Sequence, residues 1–361
     1  MKTSKLMTQW PILVPLLSGA FLYAFLTISM QGYVAAIAFV IMMLAVIASV
    51  HHAEVIAHRL GEPYGTLVLA LAVTVIETAM ILSIMFAEGG KNAALPRDTI
   101  YSAVMIICNG VVGLSLLIGG LHHKEQLFRI EGTGSGFAAL VTLSVLVLVM
   151  PLYTTSSPEG TYTNSQLLFV ALSSLALWLV FVFIQTIRHR DYFLPSANME
   201  DESVHAAPPT VAQAWISFVL MSISLLCVVG FAKLLSPTIK SLVTTYNAPD
   251  ATVGIVIALI VLLPETWAAL RAASADRLQT SMNLAIGSAL ASIGLTIPLV
   301  VLCSVLFGFD LMLGIDAKDV VLLGLTFLVG SITLGSGRTN VMQGAIHLVL
   351  FVAFLFLTLV P

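Results

Sequence analysis

Leu69-Ala-Leu-Ala-Val-Thr-Val-Ile-Glu77-Thr-Ala-Met-Ile-Leu82 and Ile257-Ala-Leu-Ile-Val-Leu-Leu-Pro-Glu265-Thr-Trp-Ala-Ala-Leu270 read as two versions of one string. Aligned on their glutamates, they agree at Ala70/Ala258, Leu71/Leu259, Val73/Val261, Glu77/Glu265, Thr78/Thr266 and Leu82/Leu270. That agreement exceeds what apolar composition alone brings and points to an internal duplication. The repeated element carries a carboxylate inside an apolar run. At the centre of a membrane helix such a group costs about 2.5–3.5 kcal/mol, so it faces a partner or a water-filled cavity and marks a functional site.

The rest of the chain supplies the membrane. Of 361 residues, 59% are hydrophobic and only 9% charged, with a mean hydropathy of +1.04. A soluble domain carries about a quarter charged residues, so lipid is part of this protein's solvent. The net charge of −3 and the absence of a basic cluster exclude nucleic acid as a partner. Cys108, Cys227 and Cys303 lie in apolar segments without metal-ligand spacing and read as small buried thiols.

A spanning helix needs about 20 apolar residues. Candidate spans fall near 11–30, 32–50, 65–87, 99–120, 135–153, 165–187, 213–235, 250–270, 281–307, 319–336 and 340–360, which predicts an all-α polytopic protein of eleven transmembrane helices. The first run follows Lys2 and Lys5 like a signal peptide, but it continues to about Met30, longer than a signal core. Strands are not expected, because these runs lack period-2 alternation. The one long polar interruption is 188–210, with Pro195, Glu200-Asp201-Glu202 and Pro208-Pro209, an acidic linker.

The expected organisation is an N-terminal helix over 1–31, a five-helix repeat over 32–187, the linker over 188–210 and a second five-helix repeat over 211–361. Five helices per repeat invert the second copy in the membrane, an architecture with its site at the midplane. Gly113-Leu114-Ser115 and Gly294-Leu295-Thr296 occupy comparable places in the next helix of each repeat. Ten Lys and Arg residues fall on the N-terminal side of the membrane and five on the other. The positive-inside rule then makes the N-terminus and linker cytoplasmic and the C-terminus external.

Two carboxylates that meet at a pseudo-two-fold axis repel when both ionised and titrate as a pair. Protons or a cation neutralise them, and Ca²⁺ suits carboxylate, carbonyl and water oxygens. Competition for Glu77 and Glu265 suffices for antiport. Supporting oxygens come from Thr74, Thr78, Asn109, Thr266, Ser288 and Ser292, with Ser102 a further candidate. Pro264 removes an amide donor and breaks the helix at Glu265. No resident cofactor is expected, since Ca²⁺, Na⁺, K⁺ and H⁺ are cargo, and the oligomeric state stays open. A passive cation channel could use the same carboxylates, and gradient-independent conductance would distinguish it. An intramembrane hydrolase lacks any nucleophile–base set here.

Three stretches resemble the cation/calcium exchanger superfamily, in its cation/proton exchanger branch. They are His52-Ala-Glu-Val-Ile-Ala-His-Arg-Leu-Gly-Glu-Pro-Tyr-Gly65 running into Glu77, the Pro264-Glu265 helix, and Gly337-Arg-Thr-Asn-Val-Met-Gln-Gly-Ala345 before the last helix. Within that branch, the sequence is similar to the bacterial calcium/proton antiporter type that also exchanges sodium and potassium. The resemblance implies a bacterial inner-membrane antiporter and no enzyme. It places the glutamates of the family's Gly-Asn-x-x-Glu motifs on Glu77 and Glu265, and its Ser-Asn on Cys108-Asn109. The motif's Gly-Asn is replaced by Val73-Thr74 and Val261-Leu262, which implies a broader Ca²⁺/Na⁺/K⁺ range. His51, His52 and His58 with Glu54, and His122-His123, read as solvated loop faces. His347 reads as packed or hydrogen-bonded, and Gly132-Thr-Gly-Ser-Gly136 lacks the ending of a phosphate loop.

Overall fold

The computed structural model describes residues 5–26, 32–60, 64–87, 92–194 and 209–360. The acidic triplet Glu200-Asp201-Glu202, with Pro195 and Pro208, lies outside the described residues, as does Gly61-Glu62-Pro63. The chain forms two compact units that cut across the sequence halves: Met1–Gly89 with Glu202–Asn247, and Gly90–Asp201 with Ala248–Pro361.

The first unit holds α1 (Lys5–Phe25), α2 (Tyr33–Leu60), α3 (Tyr64–Ala87) and α8 (Val211–Thr245). α2 packs along α8, α3 against both, and α1 across α2 and α8. Phe231, Met42, Ile76, Ile81 and Met85 are its largest fully buried side chains. The Thr210 and Gln213 side chains close a capping box at the start of α8.

A histidine ties this unit together. Pro15 has no N–H to give the Pro11 carbonyl one turn earlier. His52 Nε2 donates to that carbonyl at 2.8 Å, and the Ser217 hydroxyl of α8 faces Nδ1 at 3.2 Å. A carbonyl can only accept, so the proton sits on Nε2 and Nδ1 takes the hydroxyl's hydrogen. The sequence expectation of a solvated loop is corrected here. α2 runs on to Leu60, which places His52 inside the core, while His58 stays exposed. His51 packs on Trp10 with ring centroids 5.1 Å apart.

The second unit holds α4 (Leu95–Met105), a π turn (Ile106–Val111) and α5 (Val112–His123) as one continuous span, followed by α6 (Ile130–Ser144) and α7 (Asn164–Phe183). After α8 come α9 (Ala251–Ser274), α10 (Leu278–Phe307), α11 (Ala317–Gly335) and α12 (Val341–Leu359). α7 packs on α10 and α12 packs on α5, while α9 packs on α4, α5 and α10. Glycines set the closest crossings. A side chain at Gly113 would meet His347 Cβ at 3.0 Å on α12, and one at Gly294 would meet Trp178 Cβ at 2.6 Å on α7. The two glycines singled out as comparable in sequence therefore serve comparable helix crossings. Gly344 lies so close to α5 that a Cβ would reach Leu117 N at 2.5 Å and Gly113 O at 2.9 Å.

Strands were not expected, yet a two-residue ladder exists: β1 (Gln126–Leu127) pairs antiparallel with β2 (Arg338–Thr339). It lies in the turns before α6 and α12, where backbone groups otherwise lack helical partners. The Gln126 amide from this ladder donates to the Ala273 carbonyl (3.0 Å) and to Asp276 Oδ1 (2.8 Å), and His123 Nε2 donates to the Ser274 carbonyl at 2.9 Å. The strap thus holds the C-terminal end of α9. The Gly337-to-Ala345 stretch also finds its role in this region. Gly337 takes a left-handed conformation (φ +66°), and Asn340 with Gln343 forms the capping box of α12.

Among the described residues, eight helices are long and apolar enough to cross a membrane, and a ninth if the two arms of α9 count as one span. Shorter apolar stretches occupy Gln9–Phe25 and Leu71–Ala87. The chain is an all-α, polytopic membrane protein; of the eleven expected spans, this criterion supports eight or nine.

Candidate cation-binding site

Glu77 lies on α3 and is 1% exposed. Thr74, one turn earlier, and Thr78, adjacent to it, are buried as well. The spacing of three residues puts Thr74 on the glutamate's side of the helix, so α3 carries a small polar patch within a segment where Ala72, Val73, Ile76 and Met80 are buried.

Glu265 lies on α9 and is 8% exposed. The helix bends by 52° between Ala251–Leu263 and Glu265–Ser274. Pro264 accounts for the bend, because it withholds the amide that the Ile260 carbonyl would take in an unbroken helix. The Ser288 hydroxyl of α10 donates to Glu265 Oε2. Ser292, one turn along the same face of α10, is also buried. The structure therefore brings Ser288 to the carboxylate. Thr266 instead donates to the Leu262 carbonyl of its own helix at 2.7 Å, and Ser102 does the same to the Asp98 carbonyl at 2.6 Å. Both hydroxyls serve their own helices.

Asn109 sits in the π turn, fully buried. A π turn inside an α-helix shifts one residue out of register and frequently marks a functional position. Both α9 and α12 pack on this turn. The Asn109 amide donates to Thr326 Oγ1 on α11 at 2.9 Å, and its oxygen lies 3.2 Å from His347 Nδ1 on α12. His347 Nε2 in turn meets Thr333 Oγ1 at 3.2 Å. Of the Thr326–Asn109–His347–Thr333 chain, only Asn109 belongs to the sequence-derived site. Its signal was a histidine and two threonines at membrane depth, but nothing in their spacing joins three separate helices.

The fold is that of a polytopic all-α membrane protein, with buried carboxylates in apolar helices, a hydroxyl donor beside one of them and a helix bent at that glutamate. The chain belongs to the sodium/calcium exchanger protein family, whose family model matches residues 19–187 and 216–360, the two stretches flanking the linker. It is 45% identical over 321 residues to the putative ionic transporter y4hA of Sinorhizobium fredii, covering 88% of this chain and 86% of that protein. It is 38% identical over 309 residues to the sodium-potassium/proton antiporter ChaA of Escherichia coli, covering 85% of this chain and 83% of that one. Among solved structures, native YfkE superposes with a TM-score of 0.73 at 18% identity, covering 97% of this chain and all of that one. The H⁺/Ca²⁺ exchanger CAX superposes with a TM-score of 0.73 at 16% identity, covering 98% and 89%.

Proposed function

We propose that this protein is a secondary active antiporter of a bacterial inner membrane, exchanging Ca²⁺, and also Na⁺ and K⁺, for protons by alternating access. Glu77 and Glu265 bind the cation and the protons in competition. Thr74, Thr78, Asn109, Ser288 and Ser292 supply supporting oxygens, and Pro264 gives the bend that opens the backbone beside Glu265. Thr266 supports the backbone there. The N-terminus and the 188–210 linker are cytoplasmic and the C-terminus external, following the Lys and Arg count. The two sequence halves act as inverted repeats.

One observation carries this proposal: both glutamates of the duplicated string are buried in apolar helices of a chain from an exchanger family. Its relatives support the reading, one being a sodium-potassium/proton antiporter and a more distant one, from Aphanothece halophytica, a Ca²⁺/H⁺ antiporter at 21% identity. A buried carboxylate is stable only when neutralised, so an empty doubly charged site crosses the membrane slowly and each half-cycle carries a ligand. The test uses inside-out vesicles with an imposed proton gradient. Adding Ca²⁺, Na⁺ or K⁺ is expected to collapse the gradient and to drive cation uptake against its own gradient. Conductance that ignores the proton gradient would overturn the proposal in favour of a channel.

A further inference from the structure

Every hydrogen in the chain through Asn109 can be assigned from the geometry of the second unit. Thr326 Oγ1 lies 3.5 Å from Met105 Sδ, a weak acceptor, and points its hydrogen there. It therefore accepts from Asn109 Nδ2 at 2.9 Å, which fixes the amide with its oxygen toward α12. That oxygen lies 3.2 Å from His347 Nδ1 and can only accept. Nδ1 of His347 must carry the proton, and Nε2, facing a hydroxyl that can turn, accepts from Thr333. The ring is 1% exposed and has little freedom to leave. The absence of a side chain at Gly113 leaves room for His347, whose Cβ lies 3.0 Å from where a Gly113 Cβ would sit, and Phe351, one turn further along α12, lies over Gly110 at 3.3 Å from a would-be Cβ.

We infer that His347 is a positioning residue for the proposed exchange: its Nδ1–H holds the Asn109 oxygen in place at the π turn that packs on the Glu265 helix. The inference rests on the proposal that Asn109 helps to bind the cation. An amide oxygen has two lone pairs, so one can accept from His347 while the other serves a cation. A hard cation's affinity follows the number and rigidity of its oxygen ligands, and His347 supplies rigidity to one of them. It touches no cargo itself.

The test exploits which nitrogen each substitute supplies. The amide nitrogen of His347→Asn falls where Nδ1 was and can still reach Asn109. That of His347→Gln falls where Nε2 was and reaches Thr333 instead. In vesicle exchange with Na⁺ and with Ca²⁺, His347→Asn is expected to keep the cation KM within about twofold of the unmodified protein. His347→Gln and His347→Leu are expected to raise it about five- to twentyfold with kcat little changed, the scale of one lost buried hydrogen bond. Thr326→Val, which releases the other end of the Asn109 amide at constant volume, is expected to raise KM likewise. A role in packing alone would reverse the order, with Gln near normal and Asn impaired, and would overturn the inference; so would identical KM values throughout. A readout independent of transport separates this outcome from a failure of the antiport proposal. ¹⁵N-histidine spectra of the protein in bilayers, assigned by difference against His347→Asn, should show the Nδ1–H tautomer for His347. An Nε2–H tautomer would contradict the inference whether or not the protein exchanges ions.

Discussion

The two copies of the glutamate string keep the acid and change the backbone beside it. Glu77 follows Ile76, which is fully buried and serves the packing of α3 within the first unit. Glu265 follows Pro264, where α9 bends by 52°, and its carboxylate takes a hydroxyl from Ser288 on α10. Both stretches keep the charge, while one uses the preceding position for packing and the other for a break. The two carboxylates are chemically alike and mechanically different.

Exchanging the two residues tests that difference most strongly. Ile76→Pro puts a ring into the interior of α3, removes a helical hydrogen bond and empties a packed site. It should cost about 3 kcal/mol or more, seen as loss of a monodisperse, thermally stable protein in detergent. The reverse change, Pro264→Ile, returns an amide to the Ile260 carbonyl. It should leave thermal stability at or above that of the unmodified protein while exchange falls about tenfold, a barrier change of about 1.4 kcal/mol. Retention of full exchange by a straightened α9 would show the bend to be incidental.

The glycine pair sharpens the comparison of the two sequence halves. A methyl at Gly294 meets Trp178 Cβ at 2.6 Å, whereas one at Gly113 meets His347 Cβ at 3.0 Å. Gly294→Ala should therefore destabilise more than Gly113→Ala, the overpacking costing about 1–3 kcal/mol. Thermal unfolding followed by thiol-reactive dye would rank them, and the opposite ranking would show that α7 yields more readily than α12. The hydroxyls near Glu265 give the smallest effects. Ser288→Ala removes the donor to Glu265 and should raise the cation KM by about tenfold, the worth of a charge-assisted hydrogen bond of about 1.5 kcal/mol. Thr266→Val should change it by less than about twofold, because its hydroxyl bonds to the Leu262 carbonyl.

How far the sequence carried differs between backbone and side chain. The helical class and the order of the helices follow from apolar runs, since a span must satisfy its own backbone in lipid; α4 to α12 fall near their expected places, while among the described residues eight or nine of the eleven expected spans are long and apolar enough to cross a membrane. The carboxylates were legible because burying a charge is costly, and the break at Pro264 because a proline withholds an amide. The assignment of His52 to a loop failed because α2 continues past its apolar run to Leu60, and the donor demand that draws His52 inward comes from Pro15 on another helix. The Gln126 strap and the chain around Asn109 were invisible for the same reason. Each joins groups more than a hundred residues apart, and no local period encodes that. The role of Asn340 as a helix cap, by contrast, follows from Asn-x-x-Gln, a pattern readable in four residues.

The proposed function has Glu77 and Glu265 bind the same cargo, so both must be present for any turnover. Proton-coupled Na⁺ and Ca²⁺ uptake in inside-out vesicles should be compared for Glu77→Gln, Glu265→Gln and the double variant, at equal amounts of folded protein. Each single change should reduce exchange as completely as the double one, below about one-hundredth of the normal rate, as expected for residues that act as a unit. A single variant that still couples uptake to the proton gradient at the normal rate would contradict the account.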